Sequence, residues 1–351
     1  MFLIGLLGLA AMGGAAYAIS DVFEPEEEVE EDDIQEDEPV DLSEGNLLDV
    51  DENIDAPETS EISTGTVLTE QNGNLIITGS EDTDLLTGQD GDDQINGYEG
   101  DDQINGYEGD DTIIGGAGED VLHGGKGDDI ITGGLDDEVL HGEDGDDQLS
   151  GDQGDDTLFG HFGDDTLTGG DGEDELYGGQ DDDTLTGDAG DDALHGGYGD
   201  DHLDGGEGED VLFGGDGDDV LTGQDGADGD AVDFLNGGAG DDTILAESGD
   251  IATGGEGEDD IVITPEEDDA AVTVMDFQPG EDKLLISWEG EGDPDIHIEP
   301  DTEDDSLTNV TIDGQTIAKL LKAEGLTPDD IQLIAEGDLA QLNALGQMTQ
   351  G

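Results

Sequence analysis

The stretches GYEGDDTII (106–114), GGKGDDIIT (124–132) and GGDGDDVLT (214–222) are three copies of one nine-residue unit. It repeats without a gap sixteen times from Gly79 to Thr222. A short tandem period of this kind marks a solenoid, in which each unit buries its apolar face only against its neighbours. Position one is Gly in every copy, position four is Gly in thirteen, position six is Asp in fifteen, and position eight is always Leu or Ile. Glycine at positions one, four and often two allows φ > 0 and a tight turn without a Cβ clash. Such a turn can aim carbonyl oxygens inward, and the position-six Asp adds a carboxylate at its end. Positions seven to nine then form a minimal strand with only the middle side chain facing in.

Working outward, the period breaks after Thr222 with an insertion around Gly229–Asp233. Residues 237–245 return to register, 246–253 fall one residue short, and GGEGEDDIV (254–262) is the last good copy. Residues 65–78 read as a leading strand or cap, 79–262 as the repeat array, and 263–351 as a β-rich capping region. Within that last region VTVMDF (272–277) and KLLISW (283–288) predict strands around the turn Gln278–Asp282. Asp313-Gly314 inside NVTIDGQTIAKLL (309–321) predicts a hairpin, and Thr327-Pro328-Asp329 predicts the start of a short helix.

Ahead of the array, residues 20–64 are dominated by Glu and Asp without a period of 2 or 3.6, which predicts a disordered acidic spacer. Residues 1–19 carry no charged side chain. They read as an export signal with a small-x-small site at Ala16-Tyr17-Ala18, or as an uncleaved membrane anchor.

Charge decides the class of ligand. The chain holds 102 Asp and Glu against four lysines (Lys126, Lys283, Lys319, Lys322), a formal charge of −98. That balance excludes nucleic acid and anionic membrane surfaces as partners, leaving membrane contact to residues 1–19. One buried apolar residue per repeat offsets only part of the entropy of ordering nine backbones. Position five is Asp or Glu in fifteen copies, so stacked turns bring like charges together. A hard divalent cation held by oxygens removes that repulsion, and folding and metal binding become one equilibrium. With no cysteine in the chain, a disulfide staple is excluded.

Residues 79–262 resemble the RTX, or haemolysin-type, calcium-binding family, on the pattern GGxGxDxUx. The resemblance implies an all-β fold, a right-handed parallel β-roll of six-residue turns and three-residue strands, with two repeats per coil and multiple Ca²⁺ ions between turns. By motif position it implies as carboxylate ligands Asp84, Asp93, Asp102, Asp111, Asp120, Asp129, Asp147, Asp156, Asp165, Asp174, Asp183, Asp192, Asp201, Asp210 and Asp219, then Asp242 and Asp259. Glu138 lengthens its ligand and Asp136 replaces a turn glycine in the same copy, so that site departs from the pattern. Asp228 fits position six of the disrupted repeat.

Asp276-Phe277 and Gly280–Lys283 are similar to the region that follows such arrays, which implies type I secretion by a C-terminal signal. Secretion to the extracellular space follows from either export route; an envelope anchor is the alternative. The catalytic motifs of relatives are missing: no His is followed by Glu, which removes H-E-x-x-H, and no Ser lies in G-x-S-x-G. The expected function is therefore calcium binding coupled to folding of a non-enzymatic structural, adhesive or surface protein, self-associating or bound to extracellular polysaccharide. The alternative is a non-catalytic accessory module. His123, His141 and His195 share position nine on one sheet face, with His123 and His141 one coil apart, which predicts solvated surface histidines, a transition-metal site being the sharper alternative. Tyr98 and Tyr107 at position two with Phe159, Tyr177 and Phe213 at position nine predict a cover for edges and turns, the alternative being a stripe that binds sugar.

Overall fold

The computed structural model describes residues 66–69, 73–223, 231–265, 270–288 and 294–334 apart from 303 and 324. The apolar segment 1–19, the acidic stretch 20–64 and Asp228 lie outside the described residues. Among the described residues no helix is long and apolar enough to cross a membrane.

Two 14-stranded sheets face each other, and successive repeats alternate between them. Each repeat pairs in parallel with the repeat 18 residues on, as in Leu149↔Leu167 and Leu158↔Leu176, so two repeats complete one coil. Position-eight side chains from both sheets fill the interior: Leu158, Leu167, Leu176 and Leu185 are each 0% exposed. The ladder absorbs the irregular repeats without losing alignment. Val211 pairs with Phe234, 23 residues away, and Thr243 with Asp260, 17 away.

The strands run longer than the three residues that the resemblance implies. Gln148–Gln153 and Thr157–Phe162 span positions seven to three of the next copy, leaving only positions four to six to bend. Position one drops out of the ladder while positions two and three rejoin it, as Asp152↔Gly170 and Gln153↔Asp171. Alternation through eight, nine and one makes position one a second inward-facing site, and Gly151 and Gly160 are buried. A Cβ on Gly160 would overlap Asp165 Oδ2 and the carbonyl of Gly178. Glycine is required there because the carboxylate occupies the space that a side chain would take.

Position two has left-handed backbone throughout the interior, and not only at glycine: Tyr98, Tyr107, Glu143, Asp152, His161 and Asp188 have φ between 75 and 84°. A side chain in that region carries a steric penalty that glycine avoids. Asp188→Gly is expected to stabilise the calcium-loaded roll by about 0.5–1 kcal/mol, allowing for the greater freedom of an unfolded glycine. A thermal melt in excess calcium that shows no rise in Tm would contradict this.

Beyond the array the sheets continue. Val272–Val274 and Lys283–Ser287 are strands as expected, but each extends a different sheet in parallel. Leu307–Ile312 and Gln315–Leu321 form the expected antiparallel hairpin, with positive φ at Asp313 and Gly314. The short helix is a single 3-10 turn, Pro328–Asp330, capped by Thr327.

Candidate metal centre

Every position-six aspartate on the roster is buried, 0–2% exposed. The turns stack them into two ladders, one along each side of the roll. In each ladder Oδ1 accepts the backbone N–H of the aspartate one coil earlier: Asp84 donates to Asp102, Asp102 to Asp120, and Asp156 to Asp174, each at 2.7 Å. The other ladder runs in the same way from Asp93 through Asp111 to Asp129 and beyond. Position six is thus a structural acceptor before it is anything else, satisfying an N–H that the bend leaves out of the sheet.

The second oxygen has no such donor. In Asp102, Asp111, Asp120, Asp129, Asp147, Asp156, Asp165, Asp174, Asp183, Asp192, Asp201, Asp219, Asp242 and Asp259, Oδ2 is buried without a hydrogen-bond partner. A carboxylate oxygen held away from water without a donor is costly unless it is protonated or meets a cation. Asp165 Oδ2 and the carbonyl oxygen of Gly178 from the next coil both border the space that a Cβ on Gly160 would fill. The same pairing recurs at Gly97 with Asp102 and Gly115, and at Gly151 with Asp156 and Gly169.

The donors are oxygens alone, carbonyl and carboxylate, which fits a hard cation such as Ca²⁺. No group of three or more His, Asp or Glu side chains converges on one point among the described residues. A cation here would therefore be held largely by backbone carbonyls, with carboxylates from the ladder.

The ends of the ladders close on themselves. Asp84 Oδ2 accepts from Ser80 N and Oγ, and Asp93 Oδ2 from Gln89 N. At the far end Asp250 Oδ2 accepts from Glu247 N, and Asp282 Oδ2 from Gln278 N. None of these four position-two donors has the left-handed backbone found in the interior.

Three acids that sequence reading passed over belong to the ladders. Asp233 is 0% exposed, accepts from Asp210 N and takes the place of position six in the interrupted repeat. Asp250 and Asp282 accept from Asp233 N and Asp259 N. The signal available was the register of the next strand: each of these acids lies one residue before a β-prone segment, as Asp does in every regular copy.

Glu138 is a real irregularity. It stays buried, but neither carboxylate oxygen receives an N–H, and burial, the charges of Asp156 and Asp120 and the approach of the Asp156 carboxyl, with which it would share a proton, push it up to about 9. Asp136 takes the position-four turn with φ of 75° without a glycine.

The position-five acids have a role besides repulsion. They form an outer ladder of opposite sense, in which Asp128 N donates to Asp110 Oδ1 and Asp146 N to Asp128 Oδ1, both at 3.2 Å.

Burial raises the inner carboxyls against the opposing pull of the accepted N–H, and neighbouring carboxylates add to the rise. Asp111 and Asp174 go up to about 6, Asp120 and Asp192 to about 7, Asp165 to about 8 and Asp183 to about 9. A carboxyl whose folded value lies above its unfolded 3.8 makes the metal-free fold lose stability as pH rises through the window from about 4 to 9. In chelator, β structure is expected to be greater at pH 5 than at pH 8. Calcium reverses the preference, so its binding releases protons and tightens as pH rises. A calcium midpoint that does not move between pH 6 and pH 8 would contradict the assignment of these carboxyls to the cation.

Comparison with known proteins agrees with this geometry. A family model described as the RTX calcium-binding nonapeptide repeat matches residues 78–113, 105–137, 132–167, 159–194, 195–230 and 229–261, together over half of the chain. Among solved structures, the AlgE6R3 subunit of the mannuronan C5-epimerase of Azotobacter vinelandii matches at 22% identity. That match covers 43% of this chain and 77% of that one, with a TM-score of 0.20. No curated protein matches the chain at a significant level. With its stacked turns, two repeats per coil and buried aspartate ladders, the chain belongs to the RTX family of calcium-binding repeat proteins.

Proposed function

We propose that the chain is a calcium-folded structural or adhesive protein that acts outside the cytoplasm and has no catalytic activity of its own. The observation supporting this is the set of fourteen interior aspartates named above, from Asp102 to Asp219 with Asp242 and Asp259 and leaving out Asp210, whose Oδ2 receives no donor. Such a ladder is a stable fold only where calcium is plentiful, and weak sites of extracellular modules suit millimolar calcium. The proposed ligands are the position-six aspartates with the position-one carbonyls beside them. Asp93, whose two oxygens accept from Leu75 N and Gln89 N, ends one ladder, whereas Asp84 accepts from Ser80 on Oδ2 and keeps a buried Oδ1 without a donor.

Residues 263–351 act as its cap and secretion address in this reading, and residues 1–19 as export signal or anchor. The accessory, polysaccharide-binding alternative loses support from the aromatic stripe. Its rings stack on one another at 4.6–5.0 Å, so their faces are covered and only edges remain for a sugar.

Sedimentation velocity in millimolar calcium, with magnesium as control, tests the reading. Calcium-dependent self-association is expected. A chain that stays monomeric and is instead retained by an immobilised polysaccharide would transfer the assignment to the accessory module.

A further inference from the structure

His123, His141, Phe159, Tyr177, His195 and Phe213 form a single stacked column on the outer face of one sheet. At its N-terminal end the column does more than pack. His161 stands in the adjacent position-two row, with ring centroids 5.3 Å from His141 and 5.7 Å from Phe159. Its Nε2 lies 3.0 Å from His141 Nδ1. One coil earlier, Glu143 Oε1 lies 3.0 Å from His123 Nδ1. Both His161 and Glu143 adopt left-handed backbone, with φ of 83 and 84°, in a row mostly filled by glycine. Side chains retained at a sterically penalised position are a pointer to use.

We propose that His141 and His161 are the nitrogen pincer of a site for one borderline divalent transition cation of the Cu²⁺, Ni²⁺ or Zn²⁺ class, with Glu143 as the neighbouring carboxylate. Two nitrogens bound about 2.0–2.1 Å from a tetrahedral centre lie roughly 3.3 Å apart, so the observed 3.0 Å needs only a small opening.

Glu143 is half exposed and moves from His123 to complete a third ligand, with water in the remaining position. Imidazole selects such cations, whereas the calcium turns present oxygens alone. The two classes of metal therefore sort to different places on one roll.

The test uses the full chain in millimolar calcium, titrated with Cu²⁺ and followed by electron paramagnetic resonance. One equivalent is expected to show coupling to two imidazole nitrogens. His141→Phe preserves the column, because Phe already occupies that row at Phe159. His161→Gly restores the commonest residue of its row. Each is expected to fold, to reduce the coupling to one nitrogen and to weaken binding roughly tenfold or more. His195→Phe is expected to change nothing. A spectrum with oxygen donors only, or a two-nitrogen signal that survives both variants, overturns the proposal.

Discussion

Removing calcium from this chain with a chelator is expected to abolish its β signal in circular dichroism at neutral pH, and millimolar calcium is expected to restore it cooperatively. The reason is the ratio of what each turn buries. Every regular repeat places one Leu or Ile in the interior, and nearly every one also places one Asp there. Fourteen of those aspartates hold an oxygen with no donor. Without a cation each interior turn must either hold a proton on its carboxyl, which burial favours by pushing Asp111 up to about 6 and Asp183 up to about 9, or hold an uncompensated charge. One leucine per nine residues cannot offset that on top of the backbone ordering. Because each coil touches only its neighbours, the array should melt as coupled units. An unchanged β spectrum in chelator would show that the apolar stack suffices and that the bare oxygens are not where calcium acts.

The second large effect separates the two jobs of a position-six carboxylate. Asp156 Oδ1 accepts the N–H of Glu138, and Asp174 Oδ1 that of Asp156. Asparagine at both positions keeps the Oδ1 acceptor and removes the charge. Asp156→Asn with Asp174→Asn is expected to make the chelated chain more structured while lowering the number of calcium ions bound. Asp156→Ala with Asp174→Ala removes both functions and leaves buried N–H groups at Glu138 and Asp156. That pair is expected to cost about 1–3 kcal/mol for each N–H left unpaired, whether or not calcium is present. Equilibrium dialysis for stoichiometry, with thermal melts in calcium and in chelator, reads both. Undiminished stoichiometry in the asparagine pair would remove these residues from the ligand set.

Glu138 sits between these partners and shows how tolerant the ladder is. Its extra methylene displaces the carboxylate, so neither oxygen accepts an N–H. Yet Val139 continues the strand and Leu140 remains fully buried. Apolar stacking and the backbone bonds of Glu138 therefore carry the register through a copy whose side chain no longer accepts the ladder N–H.

Much of this was legible in the residues alone, because the repeat is strictly periodic and each position has one dominant physical demand. Leu or Ile at position eight had to be the inward side chain, and Asp-Gly at 313–314 had to turn a hairpin. Three things were out of reach. Position one faces inward as well, so its glycine makes room for a carboxylate and not only for a turn. Asp233, Asp250 and Asp282 join the ladders although they break the nine-residue count, because ladder membership is decided by strand register and not by sequence interval. The pairing of His141 with His161 crosses 20 residues, and only the coil brings those rows together. Local periodicity thus determined the roll and the placing of its acids, from which calcium binding is implied. Which oxygen of each acid stays bare, where the ladders end and which side chains meet across coils were decided by stacking, since those contacts join residues whose separation the repeat alone does not fix.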